Sequence, residues 1–77
     1  MESREPEFDG ARLRAVRKQR GLSVHDVELR AGVTARHVWR LEAGKRPNVG
    51  AVTLARIALA LDVDINYLLG LSDSPVR

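Results

Sequence analysis

Residues 21–44, GLSVHDVELRAGVTARHVWRLEAG, decide the fold. Ser23 stands ahead of Val24, Val27 and Ala31, whose i, i+3, i+4 spacing lays one apolar stripe along a helix before Gly32 breaks it. Thr34 then caps a second short helix, in which Val38 and Leu41 keep the inward register until Gly44 ends it. With those two buried, Ala35, Arg36, Trp39 and Arg40 project from the opposite side. Two short helices, a tight turn at Gly32 and a cationic outer face on the second helix form a helix-turn-helix outline.

The flanks extend the same pattern. Met1 to Glu7 lacks periodicity and contains Pro6, which predicts a flexible acidic tail over 1–7. Asp9 can cap a first helix, with Phe8 packing on Leu13 as a hydrophobic staple; Leu13 and Val16, with Ala11, face inward, and Gly21 closes it. From Gly50 to Leu61 the chain is apolar nearly all round, broken only by Thr53 and Arg56, which predicts a central or covered helix. Asp64 can cap a last short helix carrying Ile65, Tyr67, Leu68 and Leu69, closed by Gly70, with 71–77 expected to fray. The expectation is an all-α, compact five-helix domain over 8–70, without strand pattern or internal repeat.

At 77 residues the chain holds one small core and little room for a two-walled cleft. Its net charge of +3 conceals an asymmetry: residues 12–46 hold ten Arg or Lys against three acids, the first nine residues are net acidic, and 47–77 are nearly neutral. A concentrated positive field favours a polyanion. Without cysteine there is neither a disulfide framework nor a thiolate metal site, and no apolar run is long enough to span a membrane. These features predict a cytoplasmic protein with no membrane partner.

A B-DNA major groove about 12 Å wide admits one helix, so the 34–44 segment is of a size to enter it. Arg36 and Arg40, one turn apart, suit bidentate contacts with guanine, and Ala35 and Trp39 share their face. Trp39 has two readings, against a thymine methyl or sugar edge, or folded over the rim of the core. Thr34 and His37 at the helix start, and Lys45, Arg46 and Asn48 beyond its end, are the candidate phosphate contacts.

Together these segments resemble the Xre/Cro-like helix-turn-helix domain of phage repressors and small bacterial regulators. The resemblance spans residues 10–70 and is carried by LRAVRKQRGLS, AGVTARHVWRLEAGKR, TLARIALALDV and INYLLG. It implies a structural ion pair between Arg17 and Glu42, and a homodimer on half-sites about 34 Å apart. Leu59, Tyr67 and Leu71 are the candidates for the dimer contact, or else simply close the core. The function implied is sequence-specific binding of double-stranded DNA by a transcriptional regulator, a repressor acting on a near-palindromic operator. An antitoxin, a restriction-system controller, and a protein-interaction module that has lost DNA binding are the alternatives.

Three departures from the family stand out. Val24 occupies a position where relatives often place a phosphate-binding Gln. Glu28 replaces a small residue at the helix crossing and needs the rim or a cation, with Arg12 one possibility. The loop from Gly44 to Thr53 is about one residue longer than usual. Other chemistry finds little support: His25 and His37 lack i, i+4 spacing for a metal, Asp62 and Asp64 suit turns and caps, and GKRP at 44–47 lacks the upstream glycine of a phosphate loop. No cofactor, small-molecule ligand or enzymatic activity is expected.

Overall fold

Local capping signals set the helix boundaries in the computed structural model, which describes residues 5–44 and 48–77. Helix α1 spans Gly10–Gln19, α2 Val24–Ala31, α3 Ala35–Ala43, α4 Ala51–Leu61 and α5 Ile65–Leu68, with no strand among the described residues. Asp9 accepts the amides of Ala11 and Arg12 at the start of α1. Ser23 and Asp26 form a reciprocal capping box on α2, satisfying two amides that would otherwise be orphaned. Thr34 accepts from the His37 amide on α3, and Asp64 from the Asn66 amide on α5. Gly32 ends α2 with φ +70°, a left-handed conformation that costs glycine nothing and turns the chain sharply into α3.

The helices pack in a closed circuit, α3 on α2, α2 on α4, α4 on α5, α5 on α1 and α1 on α3. Inside it lie Leu13, Val16, Val27, Val38, Ile57, Leu61, Val63 and Leu68, each essentially without solvent contact. Phe8 joins this core just ahead of α1. Each fully buried aliphatic side chain contributes about 1.5–3 kcal/mol of hydrophobic free energy, so this set anchors the orientation of α3.

The structure corrects two expectations. Ala11 is exposed, and the inward position at the start of α1 belongs to Gly10, which lies against the carbonyls of Leu41 and Glu42 at the end of α3. Helix α4 is not covered on all sides, since Val52 and Leu59 are each about two-thirds exposed. Beyond Gly70, where fraying is expected, the segment makes hydrogen bonds and an ion pair. The Leu71 and Ser72 amides donate to the Asn66 carbonyl, the Asp64 amide donates to the Pro75 carbonyl, and Arg77 pairs with Asp62 at 2.8 Å.

Arg12 fastens that terminal segment. Its guanidinium lies 4.4 Å over the Tyr67 ring and donates to the carbonyls of Tyr67 at 2.9 Å and Ser72 at 2.6 Å, with Asp73 at 3.4 Å. Arg20 takes the carbonyls of Leu61 and Asp62, the end of α4. Arg12 and Arg20 of the basic stretch are therefore committed to holding helix ends.

Candidate nucleic-acid interface

Helix α3 is fixed at both ends by charge. At its C-terminal end, Arg17 of α1 grips Glu42 bidentately, Nε to Oε2 at 2.7 Å and a terminal nitrogen to Oε1 at 2.8 Å. The other terminal nitrogen donates to the Leu22 carbonyl at 2.8 Å, so one guanidinium joins α1, the α1–α2 loop and α3. Both side chains are largely buried, and the carboxylate raises the Arg17 pKa further above its ordinary value. At the N-terminal end, Glu28 reaches across the turn and accepts the Ala35 amide at 3.1 Å. That settles the partner of Glu28 against Arg12, which is engaged with Tyr67 and the terminal segment.

Between these anchors, Val38 and Leu41 are buried while Arg36, His37, Trp39 and Arg40 are exposed. Arg36 and Arg40 have no hydrogen-bond or ion-pair partner among the described residues, leaving both guanidiniums available to an outside acceptor. Ala35 is half-buried at the turn. Trp39 is 63% exposed, and its covered part borders a cleft of about 410 Å³ with Arg14, Val24 and Glu42. It thus stands on the rim with much of its ring open to solvent.

The remaining candidates are placed unevenly. Thr34 and His37 line a shallow hollow with Thr53 and Arg56 at the turn. Arg56, one of only two charged or polar breaks noted in the α4 pattern, is thus brought to the start of α3, which its position in sequence did not disclose. Asn48 is exposed beside Glu7 and Phe8. Lys45 and Arg46 lie outside the described residues. Among the dimer candidates, Leu59 is 68% exposed beside an apolar hollow shared with Ala55, Val63 and Ile65. Tyr67 lies under Arg12 and Leu71 is tied to Asn66; neither lines that hollow.

Among the described residues, no cluster of His, Cys, Asp and Glu could hold a metal ion, and no helix is long and apolar enough to cross a membrane.

Known proteins share this fold. The restriction-modification controller protein C.AhdI from Aeromonas hydrophila is 34% identical, the alignment covering 77% of this chain and 88% of that one with a TM-score of 0.71. The N-terminal DNA-binding domain of SinR from Bacillus subtilis is 28% identical over 78% of this chain and 87% of its own, with a TM-score of 0.72. The P22 c2 repressor protein, solved in complex with a synthetic operator, is 26% identical over 82% of this chain and 94% of its own, with a TM-score of 0.70. No curated protein matches the sequence. The family described as "Helix-turn-helix domain" matches residues 10–66, and the chain belongs to that family.

Proposed function

We propose that the chain is a sequence-specific, double-stranded DNA-binding transcriptional regulator that sets α3 into the major groove as a homodimer on a near-palindromic operator. The observation that carries this is the outer face of α3, where Arg36 and Arg40 stand exposed and without partners among the described residues, on a helix anchored through Glu42 and Glu28. A helix already fixed in place loses little backbone entropy on docking, and each bidentate contact to guanine discriminates by about 1–3 kcal/mol.

In this reading Ala35, Arg36, Trp39 and Arg40 meet base edges, while Thr34, His37, Lys45, Arg46 and Asn48 meet phosphates. Arg56 joins the second group through its place beside Thr34 and His37. The apolar hollow at Leu59 is the surface through which two copies associate. Regulation follows from occupancy, with no bond made or broken, and the site of action is wherever the operator DNA resides. SinR in complex with DNA and the P22 c2 repressor in complex with a synthetic operator, both similar in fold to this chain, support this reading.

Selection of bound sequences from a random duplex library tests it. The expected result is a short enriched site with two-fold symmetry. No enrichment, together with no binding to random duplex at micromolar concentration and low salt, overturns the reading in favour of a protein-interaction module.

The 34% identity to a restriction-modification controller favours one narrower role, control of a restriction system. A neighbouring pair of genes for an endonuclease and a methyltransferase is the observation that supports it, and their absence counts against it.

A further inference from the structure

The turn between α2 and α3 holds a charge that the DNA-binding reading does not use. Glu28 is partly exposed, with its Oε2 on the Ala35 amide at 3.1 Å and its Oε1 3.9 Å from His25 Nδ1. The His37 amide is taken by the Thr34 hydroxyl, so two of the free amides at the positive end of α3 are already satisfied from within the chain. One is satisfied by a full negative charge, where the helix dipole and the unpaired amides would otherwise attract a phosphate.

We propose that Glu28 acts as a built-in phosphate mimic. It positions α3 by bridging the turn, and its charge repels the DNA backbone, so the chain binds duplex more weakly and with a shallower salt dependence than the same fold would without that charge. The inference rests on the DNA-binding reading above. Its physical basis is the pairing of two effects in one side chain: a hydrogen bond that a neutral acceptor could also make, and a charge that only a carboxylate brings. The two are separable by substitution.

Glu28→Gln keeps an acceptor for the Ala35 amide and removes the charge; Glu28→Ala removes both. Binding of each to a random-sequence duplex is measured by fluorescence anisotropy across about 50–200 mM salt, a range over which phosphate contacts dominate the response. The expected result for Glu28→Gln is affinity raised by about threefold or more, as for one unit-charge repulsion at roughly 7 Å in a high dielectric. Its log–log salt slope should steepen by about 0.9, the equivalent of one additional counterion released. Its thermal midpoint should fall slightly, because a neutral acceptor lacks the attraction of a carboxylate for the helix end, while Glu28→Ala melts lower still yet shares the steeper slope per folded molecule.

A helix cap alone would not move the salt slope. Equal affinity and slope for wild type and Glu28→Gln would overturn the proposal, as would weaker binding by Glu28→Gln. Absence of duplex binding by all three proteins would instead refute the DNA-binding reading, and the proposal with it.

Discussion

Arg17 and Glu42 meet through two parallel hydrogen bonds of 2.7 and 2.8 Å, with the Arg17 side chain 13% exposed and that of Glu42 5%. A pair this buried gains little over well-packed apolar groups of the same shape, because both charges are desolvated. Losing one partner is another matter. Glu42→Ala leaves the Arg17 guanidinium uncompensated, and the expected cost is about 3–5 kcal/mol, read as a drop in thermal midpoint of about 4–8 °C per kcal/mol for a domain of this size. The double variant Arg17→Met/Glu42→Leu should recover much of that loss. An unchanged midpoint for Glu42→Ala would show that the pair contributes no net stability.

Gly10 carries a second constraint on the same end of α3. A Cβ built there would overlap the Leu41 carbonyl oxygen and lie 2.9 Å from the Glu42 carbonyl oxygen, so α1 and α3 touch backbone to backbone. Backbone atoms cannot swing aside as a side chain can. Gly10→Ala should therefore destabilise the domain by about 1–3 kcal/mol, the cost of forcing extra volume into a packed site, despite the helix propensity that alanine adds. A midpoint in chemical denaturation equal to or above wild type would contradict the close approach.

What the sequence reveals follows the range of the interactions. The α2–turn–α3 unit is legible because its determinants are local: Ser23, Asp26, Gly32 and Thr34 act on residues at most four positions away. Gly10 resembles any glycine after a helix cap until α3 is placed against it. The partners of Arg12 and Arg20 are invisible in the sequence because the carbonyls they bind lie 41–60 positions along the chain. The contacts beyond Gly70 are illegible for a related reason, as that segment has no periodicity of its own and meets Arg12, 60 positions upstream, as well as main-chain groups of Asp64 and Asn66. Glu28 is a subtler case, since its partner is a main-chain amide and amides have no letter in the sequence.

The capping box on α2 makes stability depend on pH in acid. Hydrogen bonds from the Ser23 amide, and then from its hydroxyl, hold the Asp26 carboxyl below its ordinary pKa. A carboxyl depressed in the folded state contributes stability that is present above its unfolded pKa, about 4, and is lost as pH falls through the lower folded value. Thermal midpoints of wild type and Asp26→Asn should therefore differ near neutrality, with wild type higher, and converge as the pH falls through the lowered folded-state pKa. The difference will be small, because the group is at the surface. Curves that remain parallel over that range would remove Asp26 from the acid response.

The cations around α3 divide into two kinds that binding measurements can separate. Arg36 and Arg40 are exposed on the outer face without a partner among the described residues, whereas Arg56 sits on α4 at the hollow beside Thr34 and His37. If the first pair reads bases, Arg36→Ala or Arg40→Ala costs about 1–3 kcal/mol on the preferred site and relaxes preference at a single base position. Arg56→Ala, acting on a phosphate, should weaken all duplexes alike and flatten the salt slope by about 0.9. Competition binding against single-base variants of a selected site, repeated at several salt concentrations, distinguishes them. A loss of base preference on Arg56→Ala, or a uniform loss on Arg36→Ala, would reverse the two assignments and place a different face of the domain against the groove.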